Sequence, residues 1–411
     1  MLFNIAWKSL LNRKTTAWLT VLSIAVSTFV LLGVNHLRVE AKHSFSKTIS
    51  GTDLIVGSRT GNINLLMYSV FKIGNATNNI PWRSYQKLLS DKRIQWAVPI
   101  SLGDSHRGYR VMGTTKQYFS HYKYGTQRHL DFEQGIAFNK TFETVIGYDI
   151  AQKLDYHVGD QIILSHGTGS NSFTKHDKNP FTISGILKPT GTPVDKTVHV
   201  SLQGIEAIHV NWKGVDVKQT EHVAANLVPK SVTAVMVGLN RKMNVFKIQR
   251  EINTDRSYPL LAILPGVVLS ELWQMMEAVE QILIVICGLV LLSSLLGMST
   301  MLLSTMHSRQ RELALMRAIG AHPLFIFMMI QVEAVALTAG GILIGVLGLF
   351  ITLACSQGLI SSHYGIFIEL NFFTFETFKF CGFILIASVL LTLFPSIHAY
   401  TYSLRGTLQS Q

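Results

Sequence analysis

The chain has 411 residues, is 48% hydrophobic and 15% charged, and carries a formal charge of +12. Its mean hydropathy of +0.30 is too apolar for an ordinary soluble protein. It is also too charged for a bundle buried in lipid throughout, so a few membrane helices and one sizeable water-exposed domain are expected.

Residues 1–16 read MLFNIAWKSLLNRKTT. Leu2, Phe3, Ala6, Trp7, Leu10 and Leu11 share one helical face, with Lys8, Asn12 and Arg13 off it. The pattern predicts an interfacial helix on the cytoplasmic leaflet. Residues 17–37 form the first stretch long enough to cross a bilayer, which takes about 20 apolar residues. The stretch is too long for a signal-peptide core, and no small-residue cleavage site follows, so an uncleaved anchor is expected.

Residues 38–280 are expected to form the outer domain. Helical pattern continues past the first span to about residue 49, and residues 267–280, with Glu271, Glu277 and Glu280, run unbroken into the second. Two stalk helices thus flank the domain. Between them the periodicities predict strands at 52–56 (ending at Gly57), 94–101, 110–113, 231–237 and 260–264. Helices are expected at 81–90, 116–122 and 243–254. Residues 59–79 hold an apolar patch, 65–71, among glycines and asparagines. These pieces predict one discontinuous α+β subdomain. A β-rich insertion, about 125–227, carries a helix at 147–154 and strands at 161–165, 181–187 and 197–201. Residues 165–179 read as a loop or hairpin tip, and 207–226 give no clear pattern.

Three further spans are predicted at 281–306, 324–353 and 380–404, with a short outer loop at 354–379. No charged residue lies in 281–308 or 318–332. The intervening 307–323 segment lies within MHSRQRELALMRAIGAHP and carries Arg309, Arg311, Glu312 and Arg317. Leu313, Leu315, Met316 and Ile319 recur at helical spacing, Gly320 is placed to end the helix, and Pro323 follows as a stop. Lys8, Arg13, Lys14, the three arginines of this segment and Arg405 put both termini and the segment in the cytoplasm, because short cytoplasmic loops collect Lys and Arg. The outer domain holds 28 Lys and Arg. A domain that size translocates regardless of charge, and its basicity points to anionic head groups or solvation, not nucleic acid. Cys287, Cys355 and Cys381 all lie in or beside spans, so the outer domain relies on an apolar core instead of disulfides.

No GxxxxGK[ST], HExxH, CxxC or nucleophile elbow occurs, so catalysis by this chain is not expected, and if ATP is used another chain supplies the nucleotide site. Ten histidines lie between His43 and His222. Their spacing suits scattered surface residues; His199, His209 and His222 are the weak metal-ligand candidates, since neighbouring strands bring them within reach. Glu333 is the sole formal charge in the third span, and a carboxylate there costs roughly 3 kcal/mol on insertion scales, so it should face the bundle. Gly341, Gly345 and Gly348 of the same span make a small-residue face for close helix packing.

The stretch RQRELALMRAIGAHP, followed by a span with an acidic residue and glycines, resembles the signature region of FtsX-like permeases. The outer domain resembles the periplasmic core domain of MacB-type permeases, with PTGTPVDKTVHVSL at 189–202 matching its turn–Asp–strand pattern. ISGTDLIVGSRTG at 49–61 and GNATNNI at 74–80 are similar to a Gram-negative branch. The resemblance implies a type VII, mechanotransmission ABC permease, relative of the lipoprotein-releasing and peptide- or macrolide-exporting permeases, in the inner membrane. It implies Porter-like and Sabre-like subdomains, the latter being the insertion. Arg309, Arg311, Glu312, Arg317 and Gly320 then form a coupling helix on an ATPase subunit. Two copies of that ATPase would bind ATP and Mg, beside a second permease copy or paralogue and a periplasmic or outer-membrane partner. The substrate would be a lipoprotein, lipid, peptide or small molecule. Two other readings stay open: a non-transporting signalling scaffold that activates a periplasmic partner, and a component of metal uptake.

Overall fold

The computed structural model describes residues 13–166, 180–208, 227–308, 320–364 and 374–405. The chain divides into two compact units. One comprises residues 1–40, 277–359 and 368–411, and the other residues 41–276 and 360–367.

In chain order the elements are α1 (Lys14–Thr48), β1 (Leu54–Ser58), α2 (Asn62–Leu66), β2 (Ile80–Pro81), α3 (Trp82–Leu89), β3 (Ile94–His106) and β4 (Tyr109–Thr114). Then come α4 (Gln117–His121), β5 (Lys123–Tyr124), β6 (Arg128–His129), β7 (Phe132–Gly135), β8 (Glu143–Ile146) and α5 (Tyr148–Leu154). They are followed by β9 (Gln161–Ile162), β10 (Ser165–His166), β11 (Phe181–Leu187), β12 (Thr197–Ser201) and α6 (Leu202–Ile208). The last are β13 (Ser231–Val232), β14 (Ala234–Leu239), α7 (Val245–Thr254), β15 (Leu260–Ile263), α8 (Pro265–Ser308), α9 (Pro323–Tyr364) and α10 (Phe375–Arg405).

The outer unit is built on one mixed sheet ordered β15-β1-β14-β3-β4-β12-β8-β11-β7. Its first half is buried on both faces, which is why β1 (LIVGS) and β14 (AVMVGL) read as apolar runs and not as alternation. Ile55, Met236, Val98 and Ile100 face one core, and Leu54, Val56, Val235 and Val237 face the other. Helices α3 and α7 cover the second face through Tyr85, Leu88 and Ile248. The open edge of β15 is sealed at Ala262: Asn253 accepts from its N–H at 2.6 Å and donates to its carbonyl at 3.1 Å, and Gln249 adds a donor at 3.2 Å. An edge so occupied cannot recruit another strand.

Strand β3 runs five residues beyond the expected 94–101. It pairs with β14 over Ile94–Ile100, shifts register between Leu102 and Ser105, and continues on β4. The insertion joins the same sheet on β4: β12 lies parallel to β4, and β8 antiparallel to β12. Gly57 does not end β1 but lies inside it, where a Cβ would sit 2.5 Å from Leu65 and 2.7 Å from the Tyr68 hydroxyl. The missing side chain is the space into which α2 and the π-helical turn Met67–Phe71 pack. That turn was legible only as an apolar patch. Segment 207–226 begins with the end of α6, and 209–226 and 167–179 lie outside the described residues, as do residues 1–12 of the interfacial helix expected at 1–16, whose residues 14–16 already belong to α1.

Among the described residues, four helices are long and apolar enough to cross a membrane, at Lys14–His43, Pro265–Met306, Pro323–Ser356 and Phe375–Thr401. The segment 354–364, expected as the start of a loop, continues α9 as helix.

Candidate functional site

In the membrane unit, Gly341 and Gly345 of α9 face α1. A Cβ at Gly341 would lie 2.6 Å from Ile24 Cγ2, and one at Gly345 2.7 Å from the Ala25 carbonyl oxygen. The backbones therefore meet at a distance that only glycine allows. Gly348 stands at ordinary contact, 3.8 Å from Phe29. Glu333 is 3% exposed, beside the core residues Ile330, Ala334 and Leu337.

Glu333 is accompanied by a polar ladder that the sequence reading did not single out. Thr338 Oγ1 and Ser388 Oγ are 2.7 Å apart, Gln331 Nε2 donates to Ser396 Oγ at 3.1 Å, and Thr392 Oγ1 donates to Gln331 Oε1 at 3.2 Å. Ser388, Thr392 and Ser396 recur every four residues, a stripe visible in the sequence but outweighed by its apolar neighbours. Pro395 lies inside α10 and has no N–H, so the Leu391 carbonyl loses its helical donor. The Ser299 hydroxyl of α8 supplies one at 3.3 Å. Ser294 of α8 likewise meets Ser23 and Ser27 of α1 at 3.0 and 2.7 Å. Arg38 and Glu280, where the helices turn polar, stand 3.6 Å apart.

Gly320 takes φ +97°, a left-handed conformation natural to glycine. Pro323 opens α9, and the Phe325 N–H donates to the His322 carbonyl at 2.8 Å. Arg309, Arg311, Glu312 and Arg317 lie outside the described residues.

In the outer unit the end of α1 and the start of α8 meet an aromatic cluster. Phe45 packs on Phe71 at 4.7 Å and edge-on to Trp273 at 5.7 Å. The Tyr122 hydroxyl donates to the Thr48 carbonyl, and the Ser50 N–H to the Lys123 carbonyl. Tyr122 stacks on Tyr118, which lies 5.4 Å from the His199 ring. Asp195 of the TGTPVD turn is 1% exposed. It accepts from the Thr190 N–H and hydroxyl and from the Gly191 N–H at 2.7–3.0 Å. Burial lifts its carboxyl to about 6 against the pull of these donors.

His199 is fully buried, with Nδ1 3.3 Å from the Val145 carbonyl oxygen. Burial, with Lys72 nearby, lowers its pKa to about 3. His209 and His222 lie outside the described residues, and no group of three metal-ligating side chains occurs among the described ones. Lys72 ends the π-helical turn at φ +61°, is 8% exposed and donates to the Ser69 carbonyl at 2.6 Å. Burial lowers its pKa from 10.5 to about 7. A group depressed in the folded state gives its full stability above its unfolded value and loses it as pH falls through the folded one. Lys72→Met should therefore stabilise the protein by about 3 kcal/mol at and below pH 7, the gain shrinking toward pH 10.5. Thermal melts across that range check it; equal melts of both proteins at every pH would refute it.

One large α+β domain between the first and second of the four apolar helices found among the described residues is the layout of a polytopic membrane protein. The pattern of the MacB-like periplasmic core domain matches residues 17–254, and that of the FtsX-like permease C-terminal region matches residues 284–404. The chain belongs to the FtsX/MacB-type permeases. It is an ABC transporter permease subunit with a periplasmic domain, of a kind that works with an ABC ATPase. No curated protein sequence matches it. Among solved structures it is similar to the periplasmic region of MacB from Actinobacillus actinomycetemcomitans, at 9% identity and TM-score 0.34, covering 55% of this chain and 94% of that one. It is also similar to the extracellular domain of the noncanonic ABC-type transporter YknZ from Gram-positive bacteria, at 11% identity and TM-score 0.30, covering 51% and 98%.

Proposed function

We propose that this subunit converts ATP binding and hydrolysis on a separate ATPase into movement of its periplasmic domain, the mechanotransmission mode. Arg309, Arg311, Glu312 and Arg317 would pair with the ATPase, and ATP and Mg would be held there, two ATPases serving two permease chains. Both termini would be cytoplasmic, in an inner membrane. The substrate class is a lipoprotein, lipid, peptide or small molecule handled on the periplasmic side. The half of the sheet under α3 and α7 would be the Porter-like part and the insertion the Sabre-like part.

The observation that supports this reading best is the continuity of two helices. α1 runs unbroken from Lys14 to Thr48 and α8 from Pro265 to Ser308, each longer than its apolar span. A helix transmits displacement along its axis because every turn is hydrogen-bonded to the next. At their outer ends, Phe45, Trp273 and the Thr48 carbonyl are gripped by Phe71 and Tyr122.

A triglycine insert after Val39 should uncouple the device. Basal ATPase activity of the reconstituted complex should persist, while nucleotide-dependent distance changes between spin labels on the two outer domains disappear. Unchanged label motion in the insert variant would sink the proposal.

A further inference from the structure

The helical face of the outer unit has an uneven charge distribution that the coupling reading leaves unused. α3 and α7 border a cleft of about 370 Å³ whose floor includes Leu88, Ile248, Ile252 and Leu260. Two ion pairs cross it, Lys87 Nζ to Asp255 and Arg93 to Glu251, each at 2.7 Å, and Arg93 also holds its near neighbour Asp91 at 2.7 Å. Those pairs engage all three carboxylates that line the cleft. Around it, Arg241, Lys242, Lys247 and Arg250 on the α7 side and Arg83 and Lys92 on the α3 side are exposed and make no salt bridge among the described residues. Arg256 follows the same pattern at the end of α7. The Asn240 N–H donates to the Arg93 carbonyl at 3.0 Å and its amide to the Lys92 carbonyl at 2.9 Å, so the turn before α7 is fastened to the α3 side. The face holds nine cations against three carboxylates, a net of +6, half the formal charge of the chain.

Two large apolar side chains stand among these cations. Met243 is 92% exposed and Phe246 68% exposed, one helical turn apart, with Lys247 and Arg250 beside Phe246. Met243 in the turn before α7 and Phe246, Lys247 and Arg250 on α7 are thus exposed together, while Glu251 pairs with Arg93 at the cleft. Apolar tips ringed by Lys and Arg are the pattern of interfacial membrane contact, with cations at the phosphates and the tips among the acyl chains. An acidic protein partner is less well suited. Lys87 and Arg93, the cations that line the cleft beside it, are already engaged by the cleft's own carboxylates, so the cleft offers no free cation to an acidic side chain.

We propose that the α3–α7 face is a membrane-contact surface that binds anionic phospholipid head groups through its unpaired Lys and Arg, with Met243 and Phe246 as the inserting residues. It goes beyond the coupling function and stands or falls independently of it.

The test uses the full chain in nanodiscs of pure phosphatidylcholine, passed over captured vesicles of phosphatidylcholine with or without about one-third phosphatidylglycerol. Binding should require phosphatidylglycerol and weaken with salt, since surface charges are screened beyond about 10 Å at 0.1 M. The triple variant K242E/K247E/R250E should lose at least about thirtyfold in affinity. M243S/F246S, with every charge intact, should lose about tenfold. All five residues lie on or near the surface, so unchanged melting of the variants controls for folding. The proposal is overturned if the wild type ignores phosphatidylglycerol, or if the triple variant binds as well as wild type. It is also overturned if M243S/F246S binds normally while soluble polyglutamate displaces the vesicles, which would make the face a dock for an acidic protein.

Discussion

Leucine at position 320, or lysine at position 312, is expected to abolish ATPase stimulation in the reconstituted complex while membrane insertion proceeds. Gly320 sits at φ +97°, outside the range that side chains adopt readily. A left-handed conformation costs a residue with a Cβ about 1–2 kcal/mol. Relaxing that strain re-aims the segment before it, because Pro323 and the Phe325–His322 hydrogen bond fix the exit into α9. Glu312→Lys acts differently, by reversing a charge proposed to be presented to the ATPase. ATPase assays with and without the permease, beside a membrane-fraction blot, measure both effects. Full stimulation in both variants would refute the coupling role of 306–323.

Leucine at Gly345 should be the most damaging single change within the bundle. Its Cβ would lie 2.7 Å from the Ala25 carbonyl oxygen and 3.0 Å from Thr28 Cβ, and the nearer of these is backbone, which cannot rotate aside. Forcing atoms into a packed site costs typically 1–3 kcal/mol and more where nothing yields. Loss of a monodisperse peak on detergent extraction, or a large fall in melting temperature, is expected. Gly288→Leu is the control, since nothing lies within 4 Å of a Cβ there. If the two variants melt alike, the close approach of α1 and α9 is not what holds the bundle.

Parts of this architecture were readable from local pattern alone. Long apolar runs have few folding alternatives, so the four spans and both stalk extensions stood out in the sequence. The strands of the doubly buried half-sheet also announced themselves, because β1 and β14 have no polar face. Gly57 was misread because a glycine after a short apolar run usually marks a turn; here it makes room for Leu65 and Tyr68, which are distant in neither sequence nor space but unpredictable in direction. The continuation of β3 was hidden by its polar second half, SLGDSH, which becomes strand only because β4 and β10 lie alongside.

The sequence by itself determined the class of protein: the number of spans, the single large domain after the first, and the want of a phosphate-binding loop. These follow from composition and periodicity, which the solvent enforces residue by residue. Tertiary structure alone decided which partners each polar group finds. It joined the insertion to the main sheet by laying β12 along β4 and set Ser299 on the carbonyl that Pro395 leaves free. It also engaged three carboxylates in ion pairs at a cleft, two of them across it, leaving the cations around Phe246 without a salt bridge among the described residues. Such pairings join residues as far as 168 positions apart, as Lys87 and Asp255 are, and depend on distances that no local pattern encodes.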